Sequence, residues 1–146
     1  MIGLLQRVTE ARVTIDGELV GEIGGGLLVL VGFRRGDRAE RIARFVERVL
    51  NYRVFADPQG RMNLSLRDQG GGLLLVPQFT LAADTNAGNR PSFTPAAAPD
   101  DGRALFEQVV KTAMTAWPQT ECGRFGADMQ VGLVNDGPVT FWLEVN

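Results

Sequence analysis

Few residues in this chain are equipped for covalent or acid–base chemistry. It has no histidine and one cysteine, Cys122. Without histidine, the serine–histidine and cysteine–histidine pairs that activate a nucleophile are excluded, and so are the usual zinc sites. A lone cysteine excludes an intrachain disulfide and a cysteine-cluster metal site, and with no imidazole to take its proton Cys122 reads as a packed thiol. Gly24-Gly25-Gly26 is a flexible break and not a phosphate loop, since no Lys-Ser/Thr follows at the required spacing. Two stretches stand out instead, one for its backbone geometry and one for its arginines. Asn135-Asp136-Gly137-Pro138 joins a residue that admits unusual backbone angles to one that fixes φ, lacks an N–H and adopts a cis bond at modest cost. The tetrapeptide reads as a tight turn or as a rigid backbone probe. Arg38, Arg41, Arg44 and Arg48 share one face of a helical stretch, with Arg34 and Arg35 just upstream. That face reads as a solvated surface, partly neutralised by Glu40 and Glu47, or as a contact surface for RNA phosphates.

The elements that must position these groups follow from the apolar pattern. Met1 to Val8 is a mostly apolar strand, and Arg12 to Ile15 alternates. Asp16-Gly17 is a two-residue hairpin signal, with Glu18 to Ile23 as the return strand. Leu27 to Phe33 is continuously apolar, as in a strand covered on both faces. Asp37 with Glu40 resembles a capping box opening a helix, whose apolar stripe is Ile42, Phe45, Val46, Val49 and Leu50. Arg53 to Ala56 is a short strand, Asp57 to Gly60 a turn, Met62 to Leu66 a short strand or irregular segment, and Asp68 to Gly72 a loop. Leu73 to Val76 is a buried strand running into Pro77-Gln78-Phe79-Thr80-Leu81, where proline suggests an edge, a bulge or an end to pairing. Residues 82–99 form a long polar, proline-rich loop, and loops of that length in a small domain are often functional. Asp100 and Asp101 favour the start of a second helix, with Phe106, Val109, Val110 and Ala113 as its buried stripe and its end before Trp117-Pro118. A loop through Cys122 to Gly126 leads to two strands, Met129 to Val134 and Val139 to Val145, read as a hairpin with Asn135 to Pro138 at its tip.

These elements give a single domain over residues 1–146 of the α+β class: a mainly antiparallel sheet or partial β-barrel with two helices packed on it. Hydrophobic residues make up 45%, enough for a real core, and charged residues 22%, which excludes a disordered tail. The formal net charge of −2 does not advertise a polyanion partner. No signal-peptide pattern opens the chain and no apolar run approaches ~20 residues, so a soluble cytoplasmic protein with no membrane partner is expected.

Two stretches carry a resemblance. Pro77-Gln78-Phe79-Thr80-Leu81 and Asn135-Asp136-Gly137-Pro138-Val139-Thr140 together resemble the two signature motifs of the D-aminoacyl-tRNA deacylases. The likeness extends through Gln6-Arg7-Val8, Met62-Asn63-Leu64, Arg90-Pro91-Ser92-Phe93, Gly123-Arg124-Phe125 and Ala127-Asp128-Met129. The first motif in the family usually opens with serine where this chain has Pro77, so a hydroxyl and a backbone donor are missing there.

The resemblance implies a homodimer that hydrolyses the ester between a D-amino acid, or glycine mischarged on tRNA-Ala, and the 3′ end of tRNA, with no cofactor and no metal. It implies a cis Gly137-Pro138 bond that projects into the partner's pocket and rejects L-amino acids by backbone geometry. It places catalysis at Gln78, Phe79 and Thr80, with backbone N–H groups of Phe79 and Thr80 steadying the oxyanion while the terminal 2′-hydroxyl of the RNA assists. Gln78, Phe79 and Met129 would shape the pocket, Phe125 would stack on the adenine or serve the core, Asn135 belongs to the second motif, and Arg7 would clamp the carbonyl of Gly137 or make a surface salt bridge. Thr80 as a nucleophile needs a base within hydrogen-bond reach, and none appears nearby in the sequence. Two other functions stay open: a Thr80-based esterase or amidase for small D-aminoacyl compounds, and a non-catalytic dimer that binds RNA ends.

Overall fold

The computed structural model describes residues 1–146. Its organising element is β1 (Ile2–Ile15), longer than the two separate segments expected. One edge of β1 pairs antiparallel first with β3 (Gly26–Gly32) and then with β2 (Glu18–Ile23). Its other edge pairs antiparallel with β8 (Gln130–Glu144). The β1–β2 turn forms at Asp16-Gly17 as the sequence predicts, both residues having positive φ, 49° and 79°. Parallel pairing extends the sheet from β3 to β6 (Gly72–Pro77) and on to β7 (Thr120–Cys122). The result is a mixed, barrel-like sheet. A small hairpin, β4 (Phe55–Ala56) with β5 (Met62–Leu64), sits apart.

The continuous apolar runs are strands buried on both sides. Leu27, Val29 and Val31 of β3 and Leu73 and Leu75 of β6 join the main core beneath the helices. Their alternates, Leu28, Leu74 and Val76, pack with Val8, Ala11, Val13 and Ile23 in a second core inside the curved sheet. The main core is closed by α1 (Ile42–Asn51), whose five predicted stripe residues are all buried, and by α3 (Pro99–Ala116). In α3, Phe106, Val109 and Ala113 are buried as expected, while Val110 is only half-buried and Leu105 completes the stripe. No helix is long and apolar enough to cross a membrane.

Four local expectations are corrected. Asp37 caps no helix: a 3-10 turn (Ala39–Arg41) precedes α1, and the Asp37 carboxylate accepts instead from the Arg34 N–H at 2.7 Å and the Met1 α-amine at 2.9 Å. The capping box lies in the stretch read as irregular and loop, where Ser65 and Asp68 cap a one-turn helix, α2 (Leu66–Gln69), ended by Gly70 in the left-handed conformation. Cys122 ends the short strand β7 where a loop was read; three residues at a sheet edge leave too little periodicity to recognise. Finally, Asn135 to Pro138 is no hairpin tip. Residues 130–144 are one strand, because β1 is long enough to pair with both of its halves. Gln6 faces Thr140 and Val8 faces Asn135, so the four residues Asp136 to Val139 stand opposite Arg7 alone as a wide bulge.

Candidate active site

At the end of β6 the chain leaves the sheet. Gln78 N–H still donates to the Val31 carbonyl at 2.8 Å, and Phe79–Ala82 then turn into a 3-10 segment; of the edge, bulge or end of pairing suggested by Pro77, the structure shows the end of pairing. The bonds around this turn include Leu81 N–H to Gln78 O and Ala83 N–H to Thr80 O, at 3.3 and 3.1 Å. The N–H groups of Phe79 and Thr80 stand at the head of the turn, before its first bond from Leu81 N–H, and so take no part in its ladder. The Thr80 hydroxyl accepts from Gln78 Nε2 at 2.6 Å. Its neighbour is therefore an amide donor and not a base.

This turn forms one wall of a cleft of about 450 Å³, mostly apolar, running between the ends of β3 and β6 and the N-terminus of α3. Gln78, Phe79, Phe125 and Met129 all line it, with Pro77 at its mouth side. Thr80 adjoins the cleft through its bond to Gln78 without lining it. Phe125 is fixed by three neighbours: Phe106 at 6.5 Å between ring centroids, the Arg103 guanidinium 5.1 Å over its ring, and Gly102, where a Cβ would meet the ring at 3.2 Å. Gly123 makes room in the same way for Met129, since a Cβ there would come within 2.8 Å of the sulfur. Gly102, Arg103 and the cleft-lining Phe33 carry no motif of their own, and only the tertiary contact reveals them. Cys122 takes no part in the lining, and burial, reinforced by Glu121, pushes its thiol pKa up, so it stays protonated at neutral pH.

The remaining predicted residues gather elsewhere. Gly137-Pro138 is a cis peptide at the exposed crest of the β8 bulge. The bulge is braced from beneath. Asn135 Oδ1 accepts from Val139 N–H at 2.9 Å, and Asn135 Nδ2 donates to Thr140 Oγ1 at 2.7 Å, so this side chain closes the neck of the bulge. Arg7 donates through Nε to the carbonyl of Asp136 at 3.1 Å, one residue before the carbonyl expected, and through Nη1 to Val54 O at 2.8 Å. Gly137 has φ +129°, and a Cβ there would lie 2.8 Å from Val139 Cγ2 and 3.0 Å from Arg7. Arg7, Asn135, Gly137 and Pro138 thus form a second cluster that does not line its own chain's cleft. From Val131, at the cleft, to Gly137 is about 20 Å of strand at ~3.3 Å per residue.

The basic face divides as well. Arg34 pairs with Glu144 at 2.9 Å, and Arg48 donates to the Glu144 carbonyl at 3.2 Å and sits 5.7 Å over Tyr52. Arg38, Arg41 and Arg44 are exposed with no carboxylate partner. The bond from Arg34, then the one from Trp142 Nε1, holds the Glu144 carboxyl below its ordinary range.

Comparison with known proteins places the chain in a family. The family described as D-Tyr-tRNA(Tyr) deacylase matches residues 4–144. The chain belongs to that family. Proteins called D-aminoacyl-tRNA deacylase from Thioalkalivibrio sulfidiphilus and Alkalilimnicola ehrlichii are 63% and 61% identical to it, each over 99% of this chain and 97% and 96% of their own length. Among solved structures, one described as c-Myc DNA unwinding element binding protein superposes with a TM-score of 0.94 at 36% identity, over 100% of this chain and 99% of the other. A probable eukaryotic D-amino acid tRNA deacylase shares the fold with a TM-score of 0.86 at 17% identity, over 99% and 98% of the two chains.

Proposed function

We propose that the protein, a hydrolase of the D-aminoacyl-tRNA deacylase family, works as a homodimer in which each cleft is completed by the Gly137-Pro138 bulge of the other subunit. The observation that carries this reading is the separation of the two clusters: an exposed, braced bulge stands well away from its own cleft, so only another copy can bring the two together. β8 supplies a surface for that copy. It pairs with β1 alone, which leaves a 15-residue edge open, and it exposes Val134 and Trp142.

The chemistry follows from what the cleft holds. The terminal nucleoside enters the apolar cleft with its adenine against Phe125. The ester carbonyl meets the N–H groups of Phe79 and Thr80 at the head of the turn, which stabilise negative charge as it forms on the oxygen. Water attacks the carbonyl carbon, and the terminal 2′-hydroxyl relays its proton. Collapse of the tetrahedral intermediate breaks the bond to the 3′-oxygen, which takes the relayed proton; the amino acid leaves as its carboxylic acid and loses the second water proton to solvent as it becomes carboxylate. No protein base is used, in keeping with a Thr80 hydroxyl bonded to an amide. The bulge presents backbone where an L side chain would lie, and leaves room for a D side chain or for glycine on tRNA-Ala.

Single-turnover assays test this. D-Tyr-tRNA should be hydrolysed without added metal, L-Tyr-tRNA should be spared, and a substrate ending in 2′-deoxyadenosine should react about 10²-fold or more slowly, the usual worth of a positioned proton relay. Equal rates on D and L esters would refute the chirality filter. Full activity on the deoxy substrate would refute RNA assistance. Efficient cleavage of a small D-amino acid ester would point to the Thr80 esterase instead.

A further inference from the structure

One aromatic pair lies outside the chemistry just described. Phe79 and Phe93 are 53% and 44% exposed, yet their ring centroids are 5.2 Å apart. The planes meet at 54°, so neither ring covers the other's face. Two exposed phenylalanines in contact at the mouth of a cleft mark a binding surface rather than scattered surface residues. Phe79 belongs to the cleft wall. Phe93 comes from the long 82–99 loop and is held in place by backbone: Asp84 and Ser92 exchange two hydrogen bonds at 2.8 and 3.0 Å, and Ala96 N–H bonds the Phe93 carbonyl at 3.0 Å. Arg35 reinforces the loop, donating from its backbone N–H to Pro95 O at 2.9 Å and from Nε to Thr94 O at 2.6 Å. Its guanidinium has no carboxylate partner, so positive charge stands uncompensated beside the aromatic pair.

We infer that Phe79 and Phe93 form a stacking platform for the nucleobase that precedes the terminal nucleoside of the RNA, with Arg35 facing the adjoining phosphate. The inference rests on the reading of the cleft as the site of the terminal nucleoside. Continuity fixes the occupant. Phe79 is both part of the cleft wall and half exposed, so it offers a strand whose last nucleoside fills the cleft a path out across the two rings, and exposed aromatic faces bind single-stranded bases of any identity while arginine meets the backbone. The platform would let the enzyme distinguish an aminoacyl polynucleotide from an aminoacyl nucleoside.

Phe93→Ala and Phe93→Tyr should be compared on D-aminoacyl-tRNA and on D-aminoacyl-adenosine, which lacks the preceding nucleotide. For Phe93→Ala we expect KM on tRNA to rise roughly 5- to 150-fold, the effect of losing one base stack, with kcat nearly unchanged. The adenosine ester should react as before, and Phe93→Tyr should restore KM. Equal losses on both substrates would overturn the platform and make Phe93 a prop for the cleft; no loss on either would also overturn it. A trinucleotide CCA analogue with 2-aminopurine at the middle position gives a readout independent of hydrolysis. Its fluorescence should fall on binding wild-type protein and not on binding Phe93→Ala, whether or not the deacylase mechanism holds. A shift in the subunit association constant of Phe93→Ala, without change in the fluorescence response, would assign the pair to a second copy of the chain and refute the RNA platform.

Discussion

The two signature stretches are built in opposite ways. Pro77 to Leu81 ends a strand, and the backbone holds it: Gln78 N–H on Val31, then the bonds of a 3-10 turn. Its two polar side chains bond only each other. Asn135 to Thr140 interrupts a strand, and side chains hold it: Asn135 closes the neck and Arg7 ties the flank to Val54. The first sets two backbone donors at the head of its turn, and the second uses its side chains to fix a backbone shape. On the proposed reading the site asks for peptide groups in fixed places, which would let a chain without histidine run ester hydrolysis.

This contrast ranks the consequences of mutation. The largest loss is expected at Gly137→Ala, where a Cβ would strike Val139 and Arg7 on a backbone of positive φ. Displacing the crest by about an ångström should cost about 10²-fold in D-aminoacyl-tRNA hydrolysis, measurable by single-turnover kinetics, while circular dichroism shows the fold intact. Asn135→Ala comes next. It removes the acceptor of the half-buried Val139 N–H, a loss of about 1–3 kcal/mol, visible as a lower urea midpoint together with weaker D-over-L discrimination. Thr80→Ala should do far less, since the N–H groups stay: kcat is expected within about tenfold of wild type. A fall beyond ~10³-fold, more than one oxyanion donor supplies, would erase the contrast by making the hydroxyl the reactive group.

The smallest effect concerns the far end of the bulged strand. Glu144 has its pKa lowered, by Arg34 first, so its contribution to stability is complete above the ordinary value of 4.5 and is lost as pH falls through the depressed folded value. Glu144→Gln should flatten the acid limb of a stability–pH profile slightly, by well under 1 kcal/mol for so exposed a pair, and leave turnover near pH 7 unchanged.

What the sequence revealed follows the same division. The apolar stripe of α1, the Asp16-Gly17 turn and the doubly buried runs of β3 and β6 were legible because periodicity reports burial directly. The bulge was not, because Asn-Asp-Gly-Pro between two apolar runs has the composition of a hairpin turn; only the length of β1, which reaches past both halves of β8, decides against it. Asp37 misled for a related reason: its carboxylate is captured by the distant Met1 amine, a contact no local pattern contains. The motif residues Gln78, Phe79, Phe125 and Met129 do meet in one cleft, while Phe93 and Arg103 join its rim only through folding of the long loop and α3.

The central claim is that one subunit's bulge completes the other's cleft, and subunit mixing tests it most directly. Gly137→Ala damages the bulge alone, and Ala127→Trp, at a position that lines the cleft, fills the cleft alone. Each homodimer should keep only about a hundredth of wild-type activity on D-aminoacyl-tRNA, or less. Unfolded together and refolded as a mixture, they should form mixed dimers in which one intact cleft meets one intact bulge, restoring about a quarter of wild-type activity for random two-fold pairing. Mixed dimers that form, as native mass spectrometry would show, and yet remain inactive would contradict the account.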